Sequence, residues 1–330
     1  MIIRTRAYAR AGLAGNPSDG YFGKTLSVTI RNFCARVTMY ETPDLEILPN
    51  KRDHSYFENL EHLVKDVQLN GYYGGIRLIK AAAKKFYDYC FEKGIVLSDK
   101  NFTVRYDSNI PVQVGLAGSS AIVTATIRAL MTFYGVEIPK PTLPTLILSV
   151  EIDELSISAG LQDRVIQVYE GLVFMNFDKK LIETRGFGDY TPMNPNLLPP
   201  LYLAYITDLS EISGIAHGNL RGRFEAGDQA VVEAMKYFAD CADKARKALV
   251  NNEPDKLYDI MNQNFDKRRE IFPISRKNLE MISLARSVGA SAKFSGSGGA
   301  IVGTYEDEKM FLKLKQVLSE AGAVVIKPEL

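Results

Sequence analysis

The chain has 330 residues, of which 46% are hydrophobic, so it is long enough to bury a core and, at typical domain sizes, to form two domains. Forty Lys and Arg residues nearly balance 39 Asp and Glu residues, and the net charge of +1 gives no global field that would favour nucleic acid or an anionic membrane. The three cysteines are odd in number and widely spaced, which argues against a disulfide framework and a cysteine-based zinc site. The N terminus lacks the apolar region of a secretory signal, and no run approaches the roughly 20 apolar residues of a membrane span, so we expect a cytoplasmic protein.

The first half of the chain predicts a mixture of strands and helices. Alternating apolar and β-branched residues predict strands over 25–41, 45–49 and 101–108. Helical spacing predicts helices over 74–94 and 119–135, each ended by a glycine, and a third helix in TLPTLILSVEIDEL. Four prolines fall in DYTPMNPNLLPPLYLAYI, where they cannot donate to a helix or a central strand, so we place a domain boundary near residue 195.

The second half predicts long helices over 227–252, 254–272 and 276–289. Short apolar runs, LYLAYIT, AKFSGSGGAIVGTY and GAVVIKP, separate and follow these helices. Helices combined with an antiparallel sheet make an α+β domain the economical interpretation.

A glycine-rich loop, PVQVGLAGSSA at residues 111–121, comes directly before a strong helix-forming run. Its glycines allow the backbone to approach a ligand closely, and a helix that starts at Ser119 or Ser120 directs unpaired N–H groups into the loop. The pattern favours an anion such as a triphosphate, with serine hydroxyls available to Mg²⁺. It matches neither GxxxxGK[ST] nor GxGxxG, and an ordinary glycine-rich turn with a serine cap is the alternative interpretation.

A second glycine cluster, KFSGSGGAIVG at residues 293–303, lies between a helix and an apolar strand-like run. Such a cluster can form a tight turn close to a bound group, and two separate cradles suggest a shared ligand. A plain β-turn is the alternative here.

Two acidic residues are candidates for the chemistry. Asp163 heads a helical segment in ISAGLQDRVIQVYEGLVFM, where the helix start favours an ionised carboxylate that could accept a proton or orient a hydroxyl. Glu151, twelve positions earlier, is the natural second carboxylate, although its spacing alone favours a solvated surface position. One acid for the proton and one for the metal is what phosphoryl transfer requires.

The two glycine-rich loops and GLAGNPSD at residues 12–19 together resemble the three ordered motifs of the GHMP small-molecule kinases, which include galactokinase, homoserine kinase and mevalonate kinase. The runs GNPSDGYFGKTLSVTI, GYYGGIRL, SAGLQDRVIQVYEGL and MNQNFDKRRE are most similar to plant-type glucuronokinase. The resemblance implies an α+β, two-domain fold, with a ribosomal protein S5 domain 2-like domain over 1–195, a ferredoxin-like domain over 196–330 and the active site between them. It also implies Mg²⁺-dependent transfer of phosphate from ATP to the anomeric hydroxyl of D-glucuronate, which gives D-glucuronate 1-phosphate and ADP, with no nucleic-acid or membrane partner. A homo-oligomer is compatible with these residues.

The resemblance also implies roles for individual residues. Asp163 would be the catalytic carboxylate and Arg10 the cation beside it, while Ser120 and Glu151 would neighbour Mg²⁺. The ATP phosphates would lie against Pro111, Gly115, Leu116, Ala117, Gly118, Ser119, Ser120 and Ala121, and against Ser295, Gly296, Ser297 and Gly298. Asp19 would contact sugar hydroxyls, whereas Asn16 stands where galactokinases have Glu and Ala300 where relatives often have a further glycine.

A uronic acid needs a counter-charge for its carboxylate, and the planar guanidinium of arginine suits this role better than lysine. The candidates are Arg223, Arg268 and Arg269, with Arg164 as a fourth, and each of the first three could equally lie on a solvated helix face. Gly74 and Gly75 are predicted to allow close approach of the backbone to the sugar. Tyr72 and Tyr73 are predicted to pack, and His217 is predicted to hydrogen-bond locally.

Two alternatives to this function remain open at the level of the sequence. The first is a GHMP kinase that acts on a heptose, an arabinose-type sugar or a galactose-type sugar. The second is a non-catalytic relative that binds nucleotide without turnover. The sequence also leaves open whether Asp163 deprotonates the sugar hydroxyl or only orients it.

Overall fold

Two β-sheets organise the chain in the computed structural model, which describes residues 1–50, 53, 59–60, 74–207 and 220–330. The first sheet contains β1 (Ile2–Ala14), β2 (Lys24–Thr42), β3 (Glu46–Leu48), β4 (Asn101–Ser108), β5 (Leu172–Asn176) and β6 (Asp189–Met193). Its order is β3-β4-β2-β5-β6, and β1 also pairs with β2. The β3–β4 pair is parallel and the other pairs are antiparallel.

The 19-residue strand β2 is the centre of this sheet, since it pairs with β1, β4 and β5. The predicted strands over 25–41, 45–49 and 101–108 are confirmed. The sequence pattern does not reveal β1, because its second half is rich in alanine and glycine, which are weak strand formers. Those small residues are all buried, and the segment carries Arg10 into the interior.

Helices of the first half pack against this sheet and against one another. They are α1 (Gly75–Glu92), α2 (Gly118–Tyr134), α3 (Leu143–Ser149), α4 (Gln162–Tyr169) and α5 (Lys179–Arg185). Helix α2 is buried along most of its length and ends at Gly135, whose φ of 66° gives the left-handed C-cap that glycine favours. The third predicted helix forms α3 and continues as a π-helical turn over Val150–Glu154, which places Glu151 inside the protein.

The second half is α+β, as its sequence predicts. Its helices are α6 (Gln229–Val250), α7 (Lys256–Ile271), α8 (Arg276–Ser287) and α9 (Glu308–Glu320). Its strands β7 (Leu201–Tyr205), β8 (Lys293–Phe294), β9 (Ala300–Thr304) and β10 (Val324–Ile326) form an antiparallel sheet of order β10-β7-β9-β8. Within the described ranges, no helix is both apolar enough and long enough to traverse a bilayer.

The two halves share a core. Strand β6 ends at Met193 in the first sheet and β7 begins at Leu201 in the second, so we propose to keep the domain boundary near residue 195. The largest apolar cluster nevertheless crosses this boundary, because it contains Val28 of the first half together with Leu203 and Ala242 of the second. Such continuous packing fixes the relative position of the loops that the two halves contribute to the site described next.

Candidate active site

A cavity of about 650 Å³ opens where loops of the two halves meet. Its walls come from the C-terminal part of β1, the loop before α2, the start of α4 and the glycine-rich turn between β8 and β9. The predicted site residues that line it are Arg10, Asn16, Asp19, Gly74, Gly75, Pro111, Gly115, Leu116, Ala117, Gly118, Ser119, Glu151, Asp163, Arg268, Gly296 and Ser297. Tyr72, Tyr73 and His217 lie outside the described residues.

The loop before α2 presents free backbone donors to this cavity. The N-cap residue, Ala117, adopts a left-handed φ of 63° and no side chain caps the helix. Gly118 and Ser119, in the first turn, line the cavity. The uncapped N–H groups and the positive end of this 17-residue helix therefore face the space that an anion would occupy.

The two glycine-rich loops touch each other at Gly115 and Gly296. A Cβ atom added to Gly296 would lie 2.3 Å from the Gly115 carbonyl oxygen, and one added to Gly115 would lie 2.9 Å from the Ser297 nitrogen. Gly115 also has a φ of 70°, a conformation that favours glycine. Both loops therefore need glycine at their contact, and together they enclose one side of the cavity.

Arg10 connects these loops to the acid at the start of α4. Its Nε donates to Asp163 Oδ1 at 2.6 Å, and its Nη1 donates to the carbonyl oxygens of Gly115 at 2.6 Å and Ser295 at 3.2 Å. The arginine is 5% exposed, so its charge is little screened by water. One guanidinium thus sets the position of the acid relative to both glycine-rich loops.

Asp163 is held in its ionised form. Burial by itself raises the pKa of its carboxyl, but the charges of Arg10 and Arg164 outweigh burial and hold the pKa below its ordinary value. The side chain is 19% exposed and faces the cavity. Asp163 can therefore accept a hydrogen bond or a proton from a bound hydroxyl at neutral pH.

Asp19 lies beside Asp163, and its pKa is shifted in the opposite direction. Burial and the neighbouring Asp163 charge raise its pKa to about 6, although its Oδ2 accepts a hydrogen bond of 3.2 Å from the Gln162 backbone. A Cβ on Gly160 would collide with the same oxygen, so glycine there makes room for the acid. Two carboxyls with separated pKa values therefore share one wall of the cavity.

Replacing Asp19 by Asn is expected to stabilise the protein above pH 6 relative to the wild type. The folded carboxyl titrates near 6 and the unfolded one near 3.8, so the stability that protonated Asp19 contributes is full below about pH 3.8 and is lost as the pH rises through about 6. Urea unfolding from about pH 4 to pH 8 should show a difference between the two proteins that opens over this interval. A difference that is constant with pH, or that also follows replacement of the exposed Asp189 by Asn, would contradict the assignment.

Glu151 is fully buried and carries two polar partners. Its Oε1 accepts a hydrogen bond from Ser119 Oγ at 2.7 Å, and its Oε2 is paired with Arg164 Nη2. The serine next to Glu151 is therefore Ser119 and not the predicted Ser120. Ser120 is itself fully buried, and its hydroxyl donates to the Ala117 carbonyl, because residue 120 of α2 faces the core.

Several predicted residues lie away from the cavity surface. Arg223 pairs with Asp228 and Arg269 is exposed on α7, and neither of these two predicted sugar contacts is among the residues that line the cavity. Arg164 lines it but is engaged by Glu151 and by the Gly160 carbonyl. Four of the predicted phosphate contacts are not among the residues that line the cavity: Ser120, Ala121, Ser295 and Gly298.

Arg268 holds the second glycine-rich loop. Its Nη1 and Nη2 donate to the carbonyl oxygens of Gly296 at 2.9 Å and Ser297 at 3.1 Å. Its guanidinium also lies over the rings of Phe272 and Phe294. The arginine therefore acts on the loop as a positioning group, a role that its neighbours in sequence do not reveal.

Lys293 and Asn264 position the GLAGNPSD motif at residues 12–19, and sequence reasoning missed both. Lys293 is 1% exposed, and its Nζ donates to the Gly12 carbonyl and to Asn16 Oδ1, each at 2.6 Å. Asn264 accepts from the Gly15 nitrogen at 2.7 Å and donates to the Asn16 carbonyl at 3.2 Å. The signals were present, since Lys293 opens the second glycine cluster and Asn264 lies in MNQNFDKRRE, but polar residues there resemble surface positions until the fold buries them.

Known proteins show the same organisation. The family "GHMP kinases N terminal domain" matches residues 77–171, and "GHMP kinases C terminal" matches residues 245–324. Glucuronokinase 1 of Arabidopsis thaliana is 47% identical over 91% of this chain and 84% of its own length, and the probable glucuronokinase 2 of the same plant is 44% identical over 99% and 91%. The phosphomevalonate kinase of Streptococcus pneumoniae shares the fold, with a TM-score of 0.77 over 100% of this chain and 99% of its own at 16% identity. With two family matches and relatives of this identity along almost its whole length, the chain belongs to the GHMP kinase family.

Proposed function

We propose that the chain is an ATP-dependent kinase that phosphorylates D-glucuronate at the anomeric hydroxyl, with D-glucuronate 1-phosphate and ADP as products. The observation that carries this function is the position of Arg10, which binds Asp163 and the Gly115 carbonyl with one guanidinium. The acid for the sugar hydroxyl and the loop for the phosphates are thereby held at a fixed separation. Phosphoryl transfer depends on such positioning more than on covalent chemistry.

The phosphates of ATP would lie against the uncapped start of α2. Backbone N–H groups at Gly118 and Ser119 can donate to phosphate oxygens, and the helix dipole favours the negative charge. The second glycine-rich loop, tied down by Arg268, closes the same space from the opposite half of the chain. Preorganised donors of this kind stabilise the charge that develops on the transferred group.

The sugar would lie on the side of Asp163 and Asp19. Ionised Asp163 accepts the hydrogen of the attacking hydroxyl, and the Arg10 charge keeps the carboxylate in place. Gln162 is 3% exposed and lines the cavity, and its buried Oε1 has no hydrogen-bond partner in the described part of the chain.

Mg²⁺ fits the oxygen donors next to the phosphate loop. Ser119 and Glu151 offer a hydroxyl and a carboxylate, which are ligands that this hard cation prefers. Mg²⁺ bound with ATP would neutralise phosphate charge during transfer. Arg164 occupies the second carboxylate oxygen and so leaves Oε1, shared with Ser119, as the oxygen of Glu151 available to the metal.

The two neighbouring serines give a test of this metal assignment. Replacing Ser119 by Ala is expected to raise the Mg²⁺ concentration for half-maximal activity about tenfold, since metal sites lose affinity by that order when a supporting group is removed. Replacing Ser120 by Ala should leave that concentration unchanged, because its hydroxyl is bonded to the Ala117 carbonyl. Titration of Mg²⁺ at fixed ATP measures both variants, and a shift for Ser120→Ala alone would reverse the assignment.

The function itself is tested by the release of ADP with a series of free sugars, with and without Mg²⁺. D-glucuronate should have the highest kcat/KM, and the product should lose its reducing end because the phosphate is on the anomeric oxygen. A heptose, an arabinose-type sugar or galactose with a higher kcat/KM would assign a different acceptor. Nucleotide binding without release of ADP on any sugar would identify a non-catalytic relative, which the joint presence of Arg10, Asp163 and Glu151 in one cavity argues against.

A further inference from the structure

The ring oxygen of the proposed substrate is bonded to two ring carbons. One is the anomeric carbon, which takes the phosphate, and the other carries the carboxylate. That carboxylate must bind away from the transferred phosphate and needs a planar, bidentate cation as its partner. Four arginines of the described chain line the cavity: Arg10, Arg164, Arg221 and Arg268. Their other contacts decide which of them is available.

Three of these arginines are already committed to the protein. Arg10 is bonded to Asp163 and two loop carbonyls, and Arg164 is bonded to Glu151 and the Gly160 carbonyl. Both terminal nitrogens of Arg268 donate hydrogen bonds to carbonyl oxygens of the second glycine-rich loop. Turning any of them toward a ligand would leave a buried carboxylate or a loop without its partner, which is costly.

Arg221 differs from these three. Its Nε donates to Glu225 Oε1 at 3.2 Å, a pair in which the side chains are 51% and 66% exposed. The described residues supply no hydrogen-bond or ion-pair partner to its two terminal nitrogens. A pair this exposed contributes little stability, so Arg221 can exchange Glu225 for a ligand at small cost.

The backbone that carries Arg221 is fixed at the cavity. Residues 220–225 are helical, and Leu220 is 2% exposed in a small core with Phe238. Phe224, one turn further along, packs edge-on against Tyr21 with the ring centroids 4.9 Å apart. Tyr21 lines the cavity in the same 3-10 turn as Asp19, so this packing places Arg221 at the wall of the cavity that carries Asp19.

We infer that Arg221 binds the carboxylate of the uronic acid and thereby selects uronates over neutral sugars. This inference rests on the proposed glucuronokinase function. It replaces the predicted role of Arg223, which lies two residues further along the chain and pairs with Asp228 outside the cavity.

The test compares Arg221→Met with Arg223→Met, a matched control of similar exposure. The measurement is kcat/KM for D-glucuronate and for D-glucuronamide, which has the same shape but no charge, at saturating ATP. Arg221→Met should raise the KM for glucuronate about 10- to 100-fold, the range expected for a charged hydrogen bond, and should leave glucuronamide and the KM for ATP unchanged. Arg221→Lys should retain part of the preference for glucuronate that Arg221→Met loses. Lysine keeps the positive charge but lacks the planar, bidentate donor pair of the guanidinium.

The possible failures are distinguishable. Suppose that the wild type prefers glucuronate. If Arg221→Met then lowers kcat/KM for glucuronate and glucuronamide by the same factor, or changes neither value, the inference is wrong and the proposed function stands. A preference that disappears in Arg223→Met and persists in Arg221→Met would return the role to Arg223. If the wild type turns over glucuronate and glucuronamide with equal kcat/KM, the carboxylate is not selected and the inference is wrong, while the proposed function stands. If the wild type turns over neither, the glucuronokinase function itself fails and the inference falls with it.

Discussion

Replacing Asp163 by Asn is expected to lower kcat by about 10²- to 10⁴-fold, the usual contribution of a positioned general base. The amide has the size of the carboxylate, but it cannot take a proton and it loses the ion pair with Arg10. The KM for ATP should change little, because the phosphate loop keeps its bond between Arg10 and the Gly115 carbonyl. Steady-state kinetics with glucuronate and ATP measure the effect, with the exposed Asp189→Asn as the control.

The size of this loss separates the two roles that the sequence leaves open. A group that only orients the hydroxyl can be replaced in part by an amide oxygen, so a loss below about tenfold would favour orientation over deprotonation. Because Arg10 and Arg164 hold the pKa of Asp163 below its ordinary value, titration of this acid should not affect kcat at neutral pH. Turnover at the wild-type rate would remove Asp163 from the chemistry altogether.

Replacing Gly296 by Ala is expected to abolish most activity with a smaller loss of stability. The added Cβ would lie 2.3 Å from the Gly115 carbonyl oxygen and 2.9 Å from both terminal nitrogens of Arg10, so the two loops and the arginine would have to separate. Overpacking of this kind costs about 1–3 kcal/mol of stability. The displaced loops should lower kcat/KM for ATP at least about 100-fold, since small misplacements at a site of transfer have effects of that size.

Gly222 provides the matched control, because a Cβ there meets no atom within 4 Å among the residues that the structure describes. Gly222→Ala should therefore retain wild-type kinetics and thermal stability. Thermal unfolding and initial rates at varied ATP measure both proteins. Normal kinetics in Gly296→Ala would mean that the contact between the two loops is not part of the working site.

Much of the local structure was predictable because it depends on neighbours in sequence. The helix over residues 118–134 follows from its apolar run and its terminal glycine, and the loop before it follows from glycines placed at the helix start. Strand β1 was not predictable in this way, since its alanines and glycines are buried only by pairing with β2. The π-helical turn that turns Glu151 inward also depends on contacts outside its own segment.

The arginines illustrate what a pattern cannot decide. Arg221 and Arg223 lie in one short run, LRGRF, and Arg268 and Arg269 lie in another, DKRRE, so the members of each pair are close neighbours in the sequence. Folding buries Arg268 against loop carbonyls and leaves Arg269 on the surface, because adjacent residues of a helix point in different directions. It likewise turns Arg221 to the cavity and Arg223 to Asp228.

By itself, the amino-acid sequence determined the class of this protein, the three glycine-bearing motifs and the acid at Asp163, since each is carried by a short run of residues with its own conformational requirement. Only the tertiary structure decided which polar side chains meet. It placed Arg10 between Asp163 and Gly115, residues that are 153 and 105 positions away from it in the chain, and it chose Ser119 over Ser120 beside Glu151. The physical reason is that these partners are far apart in sequence. Which of them meet depends on which side chains are buried and on how helices and strands pack together, and no local pattern encodes this.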